Sequence, residues 1–358
     1  MKRKLKFCVG IDVSQKNLDV CLGYIDDEQD LQFVTHRKFK NNLKAIQELV
    51  KWIRKHADAN IKMVVVMEAT GVYHEDCAYH LHANNFEISI ELPNKISNYV
   101  RSLNQKTKTD KKDAQVICRF GLERKITAWQ PPKKIYRLLC EITRERSQLT
   151  LERSMLKNKL HAEKAQHFPN QKTINRLLER LTMYNKQLNE IDQELKKIVK
   201  TDKELQNDIR RSETIVGIGF LTAVTIHAET QGFALIKNKK QLSSYAGYDV
   251  RQKQSGTSIN GKDRISKKGN RHIRAAMHFP ALTAVQHHEH SKNFCHRIIK
   301  KSGIKMKGYV AVQRSMLELV FILHKNKVDF DKNYNSKKAA ENNPHCSLAD
   351  IKNIALSL

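Results

Sequence analysis

Between residues 174 and 198, Ile174, Leu177, Leu181, Tyr184, Leu188, Ile191, Leu195 and Ile198 recur in a strict alternation of three and four. This is the a/d seam of a heptad repeat kept up for more than three heptads, and only a long helix with a partner along its length can bury it. No glycine occurs from 135 to 210, and the first half of that stretch sets Leu138, Ile142, Leu149, Leu156 and Leu160 on a looser face. "HFPNQ" at 167–171 interrupts the pattern. The expectation is an antiparallel helical hairpin over 129–210, its seam covered either by its own first helix or by a second subunit. Such an insert divides the chain into a segment before it and a segment after it.

The segment before it alternates strands and helices. "LKFCVGID" (5–12), "NLDVCLGYI" (17–25) and "LQFVTHRKF" (31–39) read as three strands, and "NNLKAIQELVKWIRKHA" (41–57) has helical periodicity. "IKMVVVME" (61–68) is a continuous apolar run of the kind shown by a strand buried on both faces. A helix at about 74–84, a strand at "FEISIEL" and a helical stretch over 95–125 follow, until Pro131 and Pro132 punctuate the chain. These elements give an α/β domain over 1–128. Residues 211–326 read as a mostly helical domain, with 309–326 as a core helix, and 327–358 as a polar tail left without a fold.

Charge narrows the partners. Lys and Arg number 65 against 37 Asp and Glu, a net +28. A surplus of that size attracts polyanions, nucleic acid first among them. No lipidation motif or amphipathic anchor supports a membrane surface, and no apolar run approaches the ~20 residues of a spanning helix. The opening "MKRKLKFCVGIDV" is too short in its apolar part, and broken by Asp12, to act as a secretory signal. Seven cysteines without CxxC spacing indicate neither zinc nor a disulfide framework. A cytoplasmic, nucleoid-associated protein is expected.

Four carboxylates stand out against this basic background. Asp12 ends the first strand, Glu68 ends the buried run, and Asp110 and Asp113 share a helix face at i and i+3. Singly, each reads equally as a cap or a solvated charge. Together at one point they would repel unless cations neutralised them, and hard oxygen donors suit Mg²⁺ or Mn²⁺. Their order resembles the RNase H-like fold in its RuvC-like form, in which such a quartet holds divalent metal over a phosphodiester.

The second candidate site lies at "KQSGTSINGKDRISKKGNRH" (253–272), where Ser255, Thr257 and Ser258 sit among cations. Arg251, Lys253, Lys262, Arg264, Lys267, Lys268, Arg271 and Arg274 face one acid, Asp263. A solvated loop would account for the charge. A serine attacking phosphorus would need the same cations around its transition state. Upstream, Gly217 and Gly219 in "IVGIGFLTAVTIHAE" have the look of a helix-hairpin-helix turn that lets backbone N–H groups approach a phosphate. "HHEH" (287–290) is not read as a metal site, because adjacent histidines on a helix point apart. Trp129 and Tyr99 read as packing residues, and "FVTHRKFKNNLK" as a strand edge and turn.

"GIDVSQKNLDV", "MEATGVY", "KTDKKDA", "VGIGFLTA", "YAGY" and "SGTSINGKDRISKKGNRHIR" together resemble the IS110 family of insertion-sequence transposases, in order over about residues 5–325. The resemblance implies a RuvC-like domain, a coiled-coil linker and a C-terminal transposase domain. It implies a DNA recombinase guided by a structured, non-coding bridge RNA that pairs with donor and target double-stranded DNA. Carried over by position, Asp12, Glu68, Asp110 and Asp113 are the metal-binding acids and Ser255 the nucleophile, with Thr257 and Ser258 as the nearby alternatives. Val250 stands where the family usually carries proline, which alters the approach to Ser255 and no reactive group. Exchange of two duplexes implies a homodimer or homotetramer. A Holliday-junction-type endonuclease using the acids alone, and a non-catalytic RNA- or DNA-binding protein, are the alternative readings.

Overall fold

The computed structural model describes residues 2–104, 109–234, 236–255 and 259–331, with the backbone alone at Lys253, Ser255, Ile259, Asn260 and Lys262. The chain divides into two compact units, Met1–Pro131 and Pro132–Leu358.

In the first unit β1 (Lys4–Val13), β2 (Asn17–Asp26) and β3 (Leu31–Lys40) form an antiparallel meander. Helix α1 (Leu43–His56), capped by the Asn42 side chain at Ala45 N, crosses over to β4 (Lys62–Glu68), parallel to β1. Helix α2 (Glu75–Ala83) then leads to β5 (Glu87–Glu91), parallel to β4, and the strand order is β3-β2-β1-β4-β5. Period-two alternation splits the side chains between two cores. Phe7, Val9, Ile11 and Leu22 face α1 through Ile46, Leu49 and Ile53. Cys8, Cys21, Val64 and Val66 face α3 (Pro93–Ser102) and α4 (Asp110–Glu123) through Ile96, Tyr99, Ile117 and Phe120. Both faces of β4 are covered, hence its unbroken apolar run.

Two features refine the sequence reading. The stretch 95–125 is two helices rather than one, with Thr109 opening the second through its hydroxyl at Lys112 N, 3.3 Å; residues 105–108 lie outside the described residues. In addition, α4 lies directly on β1. A Cβ on Gly10 would come within 2.2 Å of Cys118 N and 2.4 Å of Ala114 O, and one on Gly121 within 2.3 Å of Cys8 Sγ. Glycine at these positions is what lets the helix rest on the strand.

The second unit starts with α5 (Lys134–Lys164) and α6 (Gln171–Lys200). The heptad seam of α6 is covered by α5 of the same chain: Leu156 and Leu160 meet Ile174 and Leu177, and Leu139 and Ile142 share a core with Ile191 and Leu195. Leu138, expected on the inner face, is exposed, and its neighbour Leu139 is buried instead. Asp202 then caps α7 (Lys203–Glu213), followed by α8 (Phe220–Glu229) and α9 (Lys239–Tyr245). Next comes an antiparallel hairpin, β6 (Val250–Ser255) and β7 (Ile259–Ile265), in a region expected to be helix and loop. Helices α10 (Arg271–Ala276), α11 (His278–His287), α12 (Glu289–Ser302) and α13 (Lys305–Asn326) complete the unit around Val224, Leu242, Tyr248, Ile273, Ala281 and Leu317. The helix expected through "HHEH" breaks at His288, whose Nδ1 lies 2.9 Å from Ser291 Oγ. Among the described residues no helix is long and apolar enough to cross a membrane.

Candidate functional site

The sheet register explains how distant residues meet. Asp12 on β1 pairs with Asp19 on β2, which pairs with Lys38 on β3. On the other side, Ile11 pairs with Met67, so the next position sets Asp12 beside Glu68, which pairs with Glu91 on β5. A single row thus runs Lys38, Asp19, Asp12, Glu68, Glu91 across the sheet, on the face that α4 covers. Asp110, the first residue of α4, and Asp113 on its first turn come over this row because Gly10 seats the helix there.

The electrostatics reflect that crowding. Asp12 is half-buried, and its carboxyl is pushed up to about 6, first by burial and then by the charges of Asp113, Asp110, Glu68 and Asp19. The other three acids singled out in the sequence, Glu68, Asp110 and Asp113, therefore all lie within electrostatic reach of Asp12. Asp110 is farther out than expected, its side chain 68% exposed. An oxygen-only donor set under mutual repulsion fits a hard divalent cation. Asp12, Glu68, Asp110 and Asp113 are the groups placed to hold one.

Sequence reading misses the other members of the row. Asp19, 6% exposed, lies 3.4 Å from His36 Nε2 and 3.1 Å from Lys38 Nζ, and the same ammonium is 3.4 Å from Asp110 Oδ2. Asp19 and then Asp110 hold Lys38 firmly protonated. At the other end Glu91 accepts from Ser89 Oγ at 3.0 Å and Lys95 Nζ at 2.7 Å. The stretch "FVTHRKFKNNLK" is thus more than an edge, since it supplies the cation that spans β2 and α4. Trp129 packs edge-on to Tyr79, and Tyr99 donates to Glu123 Oε2 at 2.6 Å.

In the second unit, Ser255 is the last residue of β6, opposite Ile259; Thr257 and Ser258 lie outside the described residues. Arg251, Lys253, Lys262 and Arg264 lie on the two strands, and Lys267, Lys268 and Arg271 follow at the exit of the hairpin. Arg274 turns inward, donating from Nη1 to Ala246 O at 2.6 Å, so it braces the hairpin base. Gly217 also has an internal reason to be glycine: its φ is +96°, and a Cβ would meet Pro280 O at 2.5 Å. Gly219 caps α8 with open space around it, beside a cavity of about 330 Å³ lined by Asp192, Lys196 and Thr222.

A second group of metal-type ligands occurs at Asp208, His227 and His324, whose ligand atoms lie within 4.8 Å of one another. The Asp208 carboxylate already has its cations, Lys327 Nζ at 3.0 and 3.1 Å and Arg211 Nη1 at 2.5 Å, and His324 Nδ1 lies 2.8 Å from it. Burial alone would raise its carboxyl, but His324 and Lys327 outweigh that and hold it at about 2. A further dication would face these charges, so the donor set does not fit a metal. The group clamps the end of α13 to α7.

Comparison with known proteins covers most of the chain. Residues 9–169 match a model for the DEDD transposase domain of IS110, and residues 210–296 match the model described as transposase IS116/IS110/IS902 family. Pilin gene-inverting proteins of Moraxella bovis and Moraxella lacunata are each 26% identical over 333 residues, 91% of this chain and 98% of theirs. The transposase for insertion sequence element IS1111A of Coxiella burnetii is 28% identical over 118 residues, 32% of this chain and 30% of that one. Among solved structures, T. thermophilus RuvC in complex with a Holliday junction substrate aligns over 31% of this chain and 90% of its own, at 9% identity and a TM-score of 0.23.

Proposed function

Because the chain belongs to the IS110 family of transposases, we propose that it is a DNA recombinase that excises and inserts an insertion sequence under the guidance of a structured bridge RNA. In this reading Ser255 is the nucleophile, and Asp12, Glu68, Asp110 and Asp113 hold Mg²⁺, or Mn²⁺ in its place. The observation that carries the metal half is the acid row across the sheet with the first turn of α4 above it. The strand order, with β2 alone running opposite to the other four strands, supports an RNase H-like reading of the first unit.

The chemistry divides between named groups. The Ser255 hydroxyl gives up its proton and attacks phosphorus. One phosphorus–oxygen bond to a sugar breaks as the serine–phosphorus bond forms, and the departing sugar oxygen takes up a proton. A sugar hydroxyl of the exchanged strand then displaces the serine, so phosphodiester bonds are conserved. A divalent cation held by the acids supplies charge neutralisation at the phosphate. Arg251, Lys253, Lys262, Arg264, Lys267, Lys268 and Arg271 hold the nucleic-acid backbone, with donor and target duplexes and the bridge RNA as ligands. Two duplexes exchanged together call for a dimer or tetramer.

The acid row on its own equally serves a second reading, hydrolysis by a junction-type endonuclease. Cleavage assays with labelled DNA, the transcript flanking the gene and Mg²⁺ separate the two. The recombinase loses strand cleavage in both Ser255→Ala and Asp12→Asn. Normal cleavage by Ser255→Ala with none by Asp12→Asn would assign the endonuclease.

A further inference from the structure

We propose that Glu229 is a positioning residue that aims the β6–β7 hairpin, an inference resting on the assignment of Ser255 above. Glu229 ends α8 with its side chain 1% exposed. Arg144 of α5 grips it as a fork, Nε to Oε1 at 2.7 Å and Nη2 to Oε2 at 2.8 Å, and Asn270 Nδ2 donates to Oε2 at 2.6 Å. Burial alone would raise the carboxyl, but the bonds from Arg144 and Asn270 outweigh it and keep Glu229 below the usual carboxylate range. It is thus an acceptor-only group meeting donors from two other elements.

Asn270 carries that grip to the hairpin. Its Oδ1 accepts from His272 N and Ile273 N, fixing the start of α10, while its own N–H donates to Tyr245 O at 2.8 Å. Tyr245 in turn donates from its hydroxyl to Glu229 O at 2.7 Å, closing the loop of contacts. The two chain segments at the hairpin base are pressed together here: a Cβ on Gly269 would meet Tyr245 O at 2.5 Å and Gly247 N at 2.6 Å. Ser266 Oγ to Asp249 Oδ1 at 2.6 Å and Lys267 N to Gly247 O at 3.1 Å complete the clasp. The hairpin leaves this clasp with Val250 at one end and Ile265 at the other.

Distance makes the clasp matter. Ser255 lies five residues along β6, roughly 17 Å from the base at strand rise. A tilt of about 5° at the base therefore moves the end of β6 by ~1.5 Å, and misplacement by about 1 Å can cost about a hundredfold in rate. A buried ion pair adds little net stability over an apolar pair of the same shape, but its bonds have fixed direction.

Glu229→Gln keeps the shape and replaces one acceptor oxygen by a donor, which must then face Arg144 or Asn270. Glu229→Gln with Asn270→Asp exchanges the partners. The carboxylate introduced at position 270 still accepts from His272 and Ile273 N–H. The amide introduced at position 229 donates to that carboxylate while its oxygen faces Arg144. The experiment is hydrogen exchange on the full-length protein without nucleic acid, paired with the rate of covalent adduct formation on labelled DNA with the flanking transcript and Mg²⁺. Expected is loss of protection confined to β6, β7 and residues 266–270 in Glu229→Gln, with adduct formation slowed at least about tenfold, affinity for the transcript within about twofold, and recovery of protection and rate in the exchanged pair. Unchanged hairpin protection in Glu229→Gln, or loss spread equally over α5 and α6, would overturn the proposal. Hairpin loosening that the exchanged pair reverses, in a protein that forms no serine adduct, would uphold the positioning role while the Ser255 assignment fails.

Discussion

Replacing Asp12 by asparagine is predicted to stabilise the metal-free protein while abolishing its chemistry. The Asp12 carboxyl stands at about 6 against an ordinary 3.8, through burial and four neighbouring acids. Two pK units correspond to about 3 kcal/mol, and because Asp12 is only half-buried, solvent screening brings the expected effect to about 1–2 kcal/mol. The folded state binds this proton more tightly than the unfolded chain. Its stabilisation is therefore complete below pH 3.8 and is lost as pH rises through about 6. At pH 8 in chelator, Asp12→Asn escapes the penalty and is more stable by that amount; at pH 4 the advantage has largely gone. Both tryptophans, Trp52 and Trp129, lie in the first unit, so their fluorescence in urea titrations reports the relevant transition. Added Mg²⁺ should stabilise wild type more than the variant and narrow the gap. A variant that is less stable at pH 8 in chelator, or more stable by the same amount at pH 4 and pH 8, would refute the repulsion argument.

Other perturbations follow from the same geometry. Gly10→Ala drives a methyl into the α4 backbone and should cost about 1–3 kcal/mol in urea titrations, with strand cleavage falling more than nucleic-acid affinity because Asp110 and Asp113 move. Lys38→Met removes the ammonium between Asp19 and Asp110, so calorimetry should find Mn²⁺ bound about two- to fivefold more tightly, as expected for a lost, partly screened like charge; weaker binding would mean that Lys38 chiefly orients Asp110. Asp208→Asn breaks the α7–α13 clamp and should cost about 2 kcal/mol at pH 7, below the usual range for a buried pair because Lys327 can turn to water. The Asp208 carboxyl is held at about 2, so its contribution is present above pH 3.8 and lost as pH falls through about 2; the difference from the variant should shrink over that window.

How much of this is legible in the sequence depends on where the information lies. The α6 seam and the β4 run are strictly local patterns of apolar side chains, so their burial can be anticipated from period alone, whereas the choice of α5 over a second subunit as the partner of the seam cannot. Asp12 and Glu68 stand out because each ends an apolar strand. Asp19 does not, since one acid within "NLDVCLGYI" looks like any polar residue until the β1–β2 register sets it opposite Asp12. Lys38 and Glu91 reach the row in the same way, through pairing between strands. The β6–β7 hairpin escapes sequence reading because "VRQKQS" and "INGKDRI" lack apolar alternation; among the described residues, side-chain and backbone bonds hold its base. Spacing points Gly217 and Arg274 toward a ligand, whereas the fold gives both an internal contact that no spacing rule announces.

Covalent attachment of Ser255 to DNA is the step on which the proposed chemistry stands. Protein reacted with labelled donor and target DNA, the flanking transcript and Mg²⁺ would be digested with nuclease and protease, and the nucleotide-bearing peptide located by fragmentation mass spectrometry. The expected result is a nucleotide on the peptide containing Ser255, fragment ions placing it on that serine rather than on Thr257 or Ser258, and no such peptide from Ser255→Ala or Asp12→Asn. Cleaved DNA with free ends and no nucleotide on any peptide of residues 250–265 would contradict it.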